Sequence, residues 1–431
     1  MKTVTVGGNL KLACVMVGLP ARGKTFIAQK VSRYLRWLGI NIKIFNVGTY
    51  RRRDWGASQP HSFFDPNNEE GKKQREQSAW EALEDMFQWF DEGSGEVALY
   101  DATNSTSERR QFILEHCNKK DVQVMFIESI CDNEKLILQN IMAVKTSSPD
   151  YSSVEEKQTA VQDFRNRIEH YAKAYETITD NELTYIKLIN VGSKYIVNKI
   201  RGYLESRVVY YLMNLHIIPR NIFISRHGES VYNTQGKIGG DSELSPQGQL
   251  YAEALPKLIS THLKTQKLRV WTSTLRRTIA TGAKLPYPKL QWKSLDELDA
   301  GVCDGLTYEE IAERFPEDYA NRDNDKFNYR YRGGESYHDL VLRLEPVIME
   351  LERQEDIVII GHQAILRCIY AYFMDLPQDR LPYINIPLHT LIRLTPMPYG
   401  TTEERFFAEI NAVDTFRPKP PQTHPSPPTN Q

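Results

Sequence analysis

The stretch "LACVMVGLPARGKT", Leu12 to Thr25, decides the fold of the first half of the chain. A short apolar run ends at Gly18, and Gly18, Gly23, Lys24 and Thr25 then satisfy G-x-x-x-x-G-K-[ST] ahead of a helical pattern, which is the context a phosphate-binding loop requires. Such a loop turns successive backbone N–H groups and a helix N-terminus toward phosphate oxygens, and its glycines permit close approach. On this reading Lys24 reaches the β- and γ-phosphates of a nucleotide and the Thr25 hydroxyl binds Mg²⁺.

Downstream, the runs "NIKIFNV", "VALYDAT", "VQVMFIESI" and "LTYIKLINV" alternate with helix-like segments. Nearly all-apolar strands separated by helices predict a doubly wound, mainly parallel α/β sheet covered on both faces. A stretch read as one long helix, "SKYIVNKIRGYLESRVVYYLMNLH", is followed by Pro219, which predicts a domain boundary near residue 218. Beyond it "NIFISRH", "LRVWTS", "DIVIIGHQ" and "TLIRLTPM" alternate with helical patterns over 246–263 and 336–353, predicting a second α/β domain over 219–415. The Pro-rich polar segment 416–431 has no apolar face to bury and reads as a disordered tail.

A chain of 431 residues exceeds what one core usually serves. Its formal net charge of −1 supplies no global cationic field for nucleic acid or an acidic membrane, so anion selectivity must be local. No apolar run is long enough to span a bilayer and the N-terminus lacks a signal-peptide pattern, which predicts a cytoplasmic protein. Cys14, Cys117, Cys131, Cys303 and Cys368 are scattered without CxxC spacing, predicting reduced thiols rather than disulfides or structural zinc.

The third strand of the first half ends in "LYDATNST" and places Asp101 at the carboxyl edge of the sheet, where doubly wound folds bind ligands. There Asp101 would serve magnesium or the attacking hydroxyl. Arg51 and Arg52 follow one strand, Arg75 lies in a helix-like segment, and Arg109 and Arg110 come just after Asp101. Each alone reads as a solvated surface charge, whereas their repeated placement after strand ends points to an acceptor that is itself anionic.

In the second half "SRHGES" follows a strand, so the His227 ring stands at a sheet edge beside Arg226. "RHGES", "TSTLRRTIATG", "ELDAG" and "GHQAILR" occur in the order used by the histidine phosphatase superfamily, which this half resembles. The resemblance implies that His227 becomes phosphorylated, that Arg226, Arg277 and His362 surround the transferring phosphate, and that Glu297 protonates the leaving oxygen, with Asp296 and Asp299 as alternative neighbours. An imidazole that attacks phosphorus in line divides a slow hydrolysis into two easier displacements, while guanidinium groups stabilise the equatorial oxygens.

A phosphate-loop kinase followed by a histidine phosphatase resembles the family of 6-phosphofructo-2-kinase/fructose-2,6-bisphosphatase. The strings "NVGTYRR", "DATN", "SSPDY", "YYLMNLH", "IGGDSELS", "DAGVCDGLTYEEI" and "PLHT" extend this likeness over nearly the whole chain. The resemblance implies a homodimer in which ATP and Mg²⁺ serve synthesis of fructose 2,6-bisphosphate from fructose 6-phosphate and a second site hydrolyses it, controlling glycolysis and gluconeogenesis. Gly18, Leu19, Pro20, Ala21, Arg22, Gly23, Lys24 and Thr25, with Asn140, Val144 and Lys145, would hold ATP, and Thr25 and Asp101 the metal. Arg51, Arg75, Thr103, Arg109, Lys145, Arg167 and Tyr171 would hold the sugar phosphate. Asp101 and Cys131 match active-site positions, although Cys131 reads equally as a packing thiol.

In the phosphatase half, Arg226, Asn233, Gly239, Tyr308, Arg322, Lys326, Tyr337, Gln363 and Arg367 match bisphosphate-binding positions. Arg322 and Lys326 also stand by themselves as clamps for a distant second phosphate. Three departures accompany the match: Ser107 replaces an arginine, Gly282 an alanine, and Asp304-Gly305 an acidic pair. Two rival readings are a non-catalytic sugar-phosphate or nucleotide sensor and a polynucleotide kinase-phosphatase. The intact Lys24, Asp101, His227 and Glu297 oppose the first. The histidine in "SRHGES" and the near-neutral charge oppose the second.

Overall fold

The computed structural model describes residues 10–147, 150, 157–190, 192–215, 220–263, 267–397 and 400–419. It separates into two compact units, Met1–Ile217 and Ile218–Gln431.

The first unit is a six-stranded sheet of β1 (Leu12–Val17), β2 (Ile42–Asn46), β3 (Val97–Asp101), β4 (Gln123–Ile130), β5 (Tyr185–Ile189) and β6 (Lys194–Asn198) in the order β2-β3-β1-β4-β5-β6. The first five run parallel and β6 returns antiparallel on the edge. Every residue of β1 and β3 is buried, as a sheet covered on both faces demands. Helices supply the cover, with Ala82, Leu83, Met86 and Phe90 of Glu69–Asp91 packing on Val15, Val17 and Tyr100.

One sequence expectation fails here. The stretch read as a single helix contains β6, and its helix starts only at Tyr203 and ends at Asn214. "KYIVN" is β-branched and alternating enough to pair with β5, and Gly202, in extended conformation at the helix cap, separates the two elements. Residues 216–219, where the domain boundary was expected, lie outside the described residues.

The second unit contains β7 (Ile222–Arg226), β8 (Arg269–Thr272), β9 (Lys289–Gln291), β10 (Ile357–Gly361), β11 (Thr390–Pro396) and β12 (Thr401–Phe407), ordered β12-β11-β7-β10-β8-β9. β7, β10, β8 and β9 are parallel, with β11 and β12 antiparallel beyond them. β7 and β10 are fully buried and pair with Arg226 opposite Gly361, so the residue following each strand is a histidine at one level. Ser245 and Ser336 cap the helices Pro246–His262 and Tyr337–Arg353, accepting from the Gly248 and Asp339 N–H groups. All five cysteines are free and buried. Among the described residues no helix is long and apolar enough to cross a membrane, and no cluster of His, Cys, Asp and Glu is arranged to hold a metal.

Candidate functional sites

The phosphate loop joins the carboxyl end of β1 to the helix Lys24–Trp37. Gly18 has φ +137°, and a Cβ there would lie 2.5 Å from the Ser129 carbonyl oxygen, so only glycine lets the loop pass β4. Gly23, at φ +79°, turns the chain into the helix. The remaining loop residues are tied through their carbonyls. Leu19 O accepts from Lys24 Nζ at 2.7 Å, Pro20 O from Arg22 Nη1 at 3.1 Å, Ala21 O from Asn140 Nδ2 at 2.9 Å and Arg22 O from the Ser129 hydroxyl. Asn140 thus joins the helix Glu134–Ser147 to the loop. The side chains of Val144 and Lys145 lie outside the described residues. Burial pushes the Lys24 ammonium down to about 8, against the opposing charge of Asp101.

Asp101 ends β3, is 3% exposed, and accepts at one oxygen from Thr25 Oγ1 at 2.7 Å and Asn46 Nδ2 at 2.6 Å. Burial raises its carboxyl above the usual range, and the Thr25 hydrogen bond and Lys24 charge only partly offset this. Thr103 O accepts from Gly18 N at 2.9 Å, docking the segment after β3 against the loop.

Four of the expected sugar-phosphate residues gather at the turn His61–Phe64. The Arg167 guanidinium lies 3.8 Å and that of Arg51 5.6 Å from the Phe64 ring centre, Arg75 donates to Phe63 O, and Tyr171 stands 6.0 Å from Phe64 ring to ring. Arg51 is 4% exposed and donates to both oxygens of Asp150 at 2.7 Å, while Arg167 and Arg52 lie 3.5 and 3.9 Å from the same carboxylate. Burial opposes ionisation of Asp150, but Arg51 and its neighbours prevail and hold the carboxyl below its ordinary value. Arg109 is held elsewhere, donating to the Tyr100 hydroxyl at 3.1 Å. Cys131 sits in an apolar cluster with Ile137, Ile141 and Phe164, the surroundings of a packing thiol. Ser107 is exposed in the first turn of the helix Ser107–Lys119.

In the second unit the expected residues converge more closely. His227 N donates to Gly361 O at 3.0 Å, locking the ring beside β10. Its Nδ1 lies 2.7 Å from the Gly228 carbonyl, which assigns the proton to Nδ1 and leaves the Nε2 lone pair free. Burial, then Arg277 and Arg226, pull the pKa of this imidazole well below its ordinary value. His362 stands 5.2 Å away ring to ring, with Nε2 bonded to Ser273 Oγ at 2.7 Å and Nδ1 buried without a partner. Burial and Arg277 keep it neutral as well.

Arg226 donates through Nη1 to Ile386 O and Thr415 Oγ1, and Arg277 donates to Gly240 O at 2.6 Å. Both line a 310 Å³ cavity with His227, Glu297, Asn233, Gly239, Tyr308, Arg322, Lys326, Tyr337, Gln363 and Arg367. His362 is not among the lining residues; its ring lies beside that of His227. Arg322 donates to the Tyr308 and Tyr331 hydroxyls, and Arg367 to the Tyr337 hydroxyl at 2.9 Å. The Asn233 side-chain oxygen Oδ1 caps its own short helix by accepting from Ser230 N. Buried nitrogen atoms of Arg226 and Gln363, both of which line the cavity, have no hydrogen-bond partner, an arrangement that costs free energy until an anion arrives.

Two departures from the family pattern have packing accounts. A Cβ on Gly282 would lie 3.0 Å from Ile360 Cδ1 and 3.4 Å from Thr272 Cγ2, so alanine needs those neighbours to give slightly. Asp304 Oδ1 accepts from Gly240 N at 2.8 Å and occupies the space a Cβ on Gly239 would take. Gly228 is equally constrained, since its Cβ would lie 2.5 Å from Gly248 O, a backbone atom. Gly228→Ala is therefore expected to destabilise the second unit by about 2 kcal/mol, seen as a lower urea midpoint at unchanged slope.

Sequence reasoning missed Thr415, Phe416 and Arg417, which line the cavity although 416 was expected to begin a disordered tail. Phe416 N donates to Asp414 Oδ1, a local turn, while Arg417 Nη2 donates to the Tyr319 hydroxyl 98 positions earlier in the chain. The only signal was an aromatic-basic pair ahead of the prolines. Residues 420–431 lie outside the described residues.

Comparison with known proteins agrees with both halves. The family described as 6-phosphofructo-2-kinase matches residues 1–219, and the histidine phosphatase superfamily (branch 1) matches residues 222–408. A Saccharomyces cerevisiae protein described as fructose-2,6-bisphosphatase is 52% identical over 422 residues, covering 97% of this chain and 93% of its own. Proteins of Aquarana catesbeiana and Rattus norvegicus, described as 6-phosphofructo-2-kinase/fructose-2,6-bisphosphatase and as its form 3, are 50% and 49% identical over 96% and 95% of this chain and 88% and 74% of their own. With two matched domains and relatives spanning its length, the chain belongs to the 6-phosphofructo-2-kinase/fructose-2,6-bisphosphatase family.

Proposed function

We propose that the first unit transfers the γ-phosphate of ATP to the 2-hydroxyl of fructose 6-phosphate, and that the second removes it from fructose 2,6-bisphosphate through a phosphohistidine. The observation that carries this reading is the His227 ring, neutral with Nε2 free, in a cavity lined by Arg226, Arg277 and Glu297. Nε2 attacks the 2-phosphorus as the bond to the sugar oxygen breaks, and Glu297 gives that oxygen its proton. Arg226 and Arg277, with His362 behind them, stabilise the charge on the equatorial oxygens. Glu297, now a carboxylate, takes a proton from water attacking the phosphohistidine, and the phosphorus–nitrogen bond breaks to release inorganic phosphate.

In the first unit the narrow passage at Gly18 and the hydroxyl-carboxylate pair of Thr25 and Asp101 fit a nucleotide phosphate and Mg²⁺, a cation that prefers oxygen ligands. When bound, the metal would neutralise phosphate charge. Lys24 exchanges Leu19 O for phosphate oxygens, Asp101 orients the acceptor hydroxyl, and Arg51, Arg75 and Arg167 hold the sugar phosphate. Ser107 supplies no cation where the family resemblance leads one to expect an arginine, which would weaken acceptor or nucleotide binding in the first unit. The reading includes a cytosolic homodimer, which sedimentation and fractionation would check.

The test follows acid-labile phosphate on the protein mixed with fructose 2,6-bisphosphate, alongside ATP-dependent synthesis from fructose 6-phosphate. Phosphorylation of an oligonucleotide in place of the sugar would reverse the reading.

A pH dependence follows from Lys326, whose ammonium is pushed down to about 6 by burial and then by Arg322, Arg367 and Arg417. Below pH 6 it is already charged; above, substrate binding must recruit a proton, so KM for the bisphosphate rises with pH. Lys326→Arg keeps its charge throughout and should flatten this rise between pH 6 and 8. An unaltered profile in steady-state kinetics would remove Lys326 from phosphate binding.

A further inference from the structure

Beyond β12 the chain turns back along the phosphatase cavity and is fastened at successive points. Val413 N donates to Glu229 Oε2 at 2.8 Å, and Glu229 is buried and also accepts from Ser245 Oγ at 2.6 Å. The Thr415 hydroxyl accepts from Arg226 Nη1 at 2.7 Å. Two residues on, the Arg417 guanidinium lies 4.0 Å from the Tyr308 ring centre and donates through Nη2 to the Tyr319 hydroxyl at 2.7 Å. The segment therefore has one contact at the Arg226 side of the cavity and another beside Tyr308.

Arg417 differs from its neighbour Arg322 in how its donors are used. Both guanidinium groups face Tyr308, that of Arg322 at 4.8 Å. Arg322 spends its donors on Tyr331, Tyr308 and Asp323, whereas Arg417 Nη1 is buried without a partner. Among the described residues no carboxylate forms a salt bridge with Arg417. A buried guanidinium N–H left unpaired costs free energy that an anionic oxygen would recover. Arg322, Lys326 and Arg417 line the same cavity, so their mutual repulsion is also relieved by an anion among them.

We propose that Arg417 is a specificity-determining residue of the phosphatase half: its unpaired guanidinium N–H binds the phosphate that the reaction retains, together with Arg322 and Lys326. The proposal rests on the phosphatase reading of the cavity. It makes the segment after β12 part of the substrate site and assigns it a discrimination between sugar bisphosphates and monophosphate esters.

The experiment pairs a substitution with a truncated substrate in the full chain. Arg417→Ala should lower kcat/KM for fructose 2,6-bisphosphate by ~10-fold or more, while kcat/KM for fructose 2-phosphate, which lacks the retained phosphate, changes less than about twofold; Arg417→Lys should fall between. An equal loss with both substrates would overturn the proposal, as would a gain in activity, which would make the segment an inhibitory strap. Calorimetric binding of the bisphosphate to His227→Ala, with and without Arg417→Ala, tests the contact without turnover: affinity should fall ~10-fold or more, and unchanged affinity overturns it. Absence of acid-labile phosphate on the wild-type chain would instead count against the phosphatase reading, which this binding comparison does not use.

Discussion

His227→Ala is expected to abolish hydrolysis of fructose 2,6-bisphosphate, a loss of roughly 10⁴-fold or more, while leaving ATP-dependent synthesis within twofold of wild type. The size follows from the route. Without Nε2 no phosphorus–nitrogen bond forms, and water must displace a sugar alkoxide directly from a charged phosphate ester, which is among the slowest uncatalysed reactions. Arg226 and Arg277 would still bind the substrate, so the bisphosphate should remain tightly held without turning over. The ring is also a poor candidate for a purely structural role. A packing histidine would have both nitrogens satisfied or turned into hydrocarbon, whereas here Nδ1 meets the Gly228 carbonyl and Nε2 remains free beside two guanidinium groups. Rapid quench with labelled substrate should show acid-labile phosphate on wild type and none on the variant. A phosphorylated variant would identify a different nucleophile.

Lys24→Met is expected to do the reverse, lowering synthesis by about 10²- to 10³-fold and leaving hydrolysis unchanged. In the absence of nucleotide the ammonium is held at the Leu19 carbonyl, which it can leave when phosphate oxygens offer a stronger, charge-assisted partner. Methionine keeps the apolar stem and its packing but removes the charge. The loss should therefore appear in kcat at saturating ATP as well as in KM, because phosphoryl transfer depends on neutralising charge that develops in the transition state. Because burial holds Lys24 down at about 8, wild-type synthesis should also decline as the free enzyme is taken above pH 8. The measurement is a coupled assay of fructose 2,6-bisphosphate formation. Loss of both activities from either substitution would contradict two separate sites.

Both candidate sites were legible as strings because each depends on short contiguous motifs. A phosphate loop must follow a strand within a few residues, and Arg226-His227 and His362 must follow β7 and β10 at one register. The position of Asp101 at the end of β3 was legible too, and the end of a parallel strand is where a doubly wound sheet presents its ligands. The edge strand β6 was not. Its five residues suit a strand or the start of an amphipathic helix equally, and pairing with β5 decides between them.

Contacts between distant segments were hidden too. Asp150 closes on Arg51 across 99 positions, and Thr415 meets Arg226 across 189. Cys131 could be read as a site residue or as packing from its string alone, and only Ile137, Ile141 and Phe164 around it favour packing.

By itself the sequence determined the two α/β units and their phosphate chemistries, and it singled out the residues proposed to act in each. Those follow from local periodicity and from motifs whose spacing the backbone translates directly into geometry. Tertiary structure alone decided which cations share a cavity, which donors remain unpaired, and that the segment after β12 lies along the phosphatase site. Such outcomes depend on burial and on long-range closure, where the cost of an unpaired buried N–H or an excess of like charge appears only once the chain is packed.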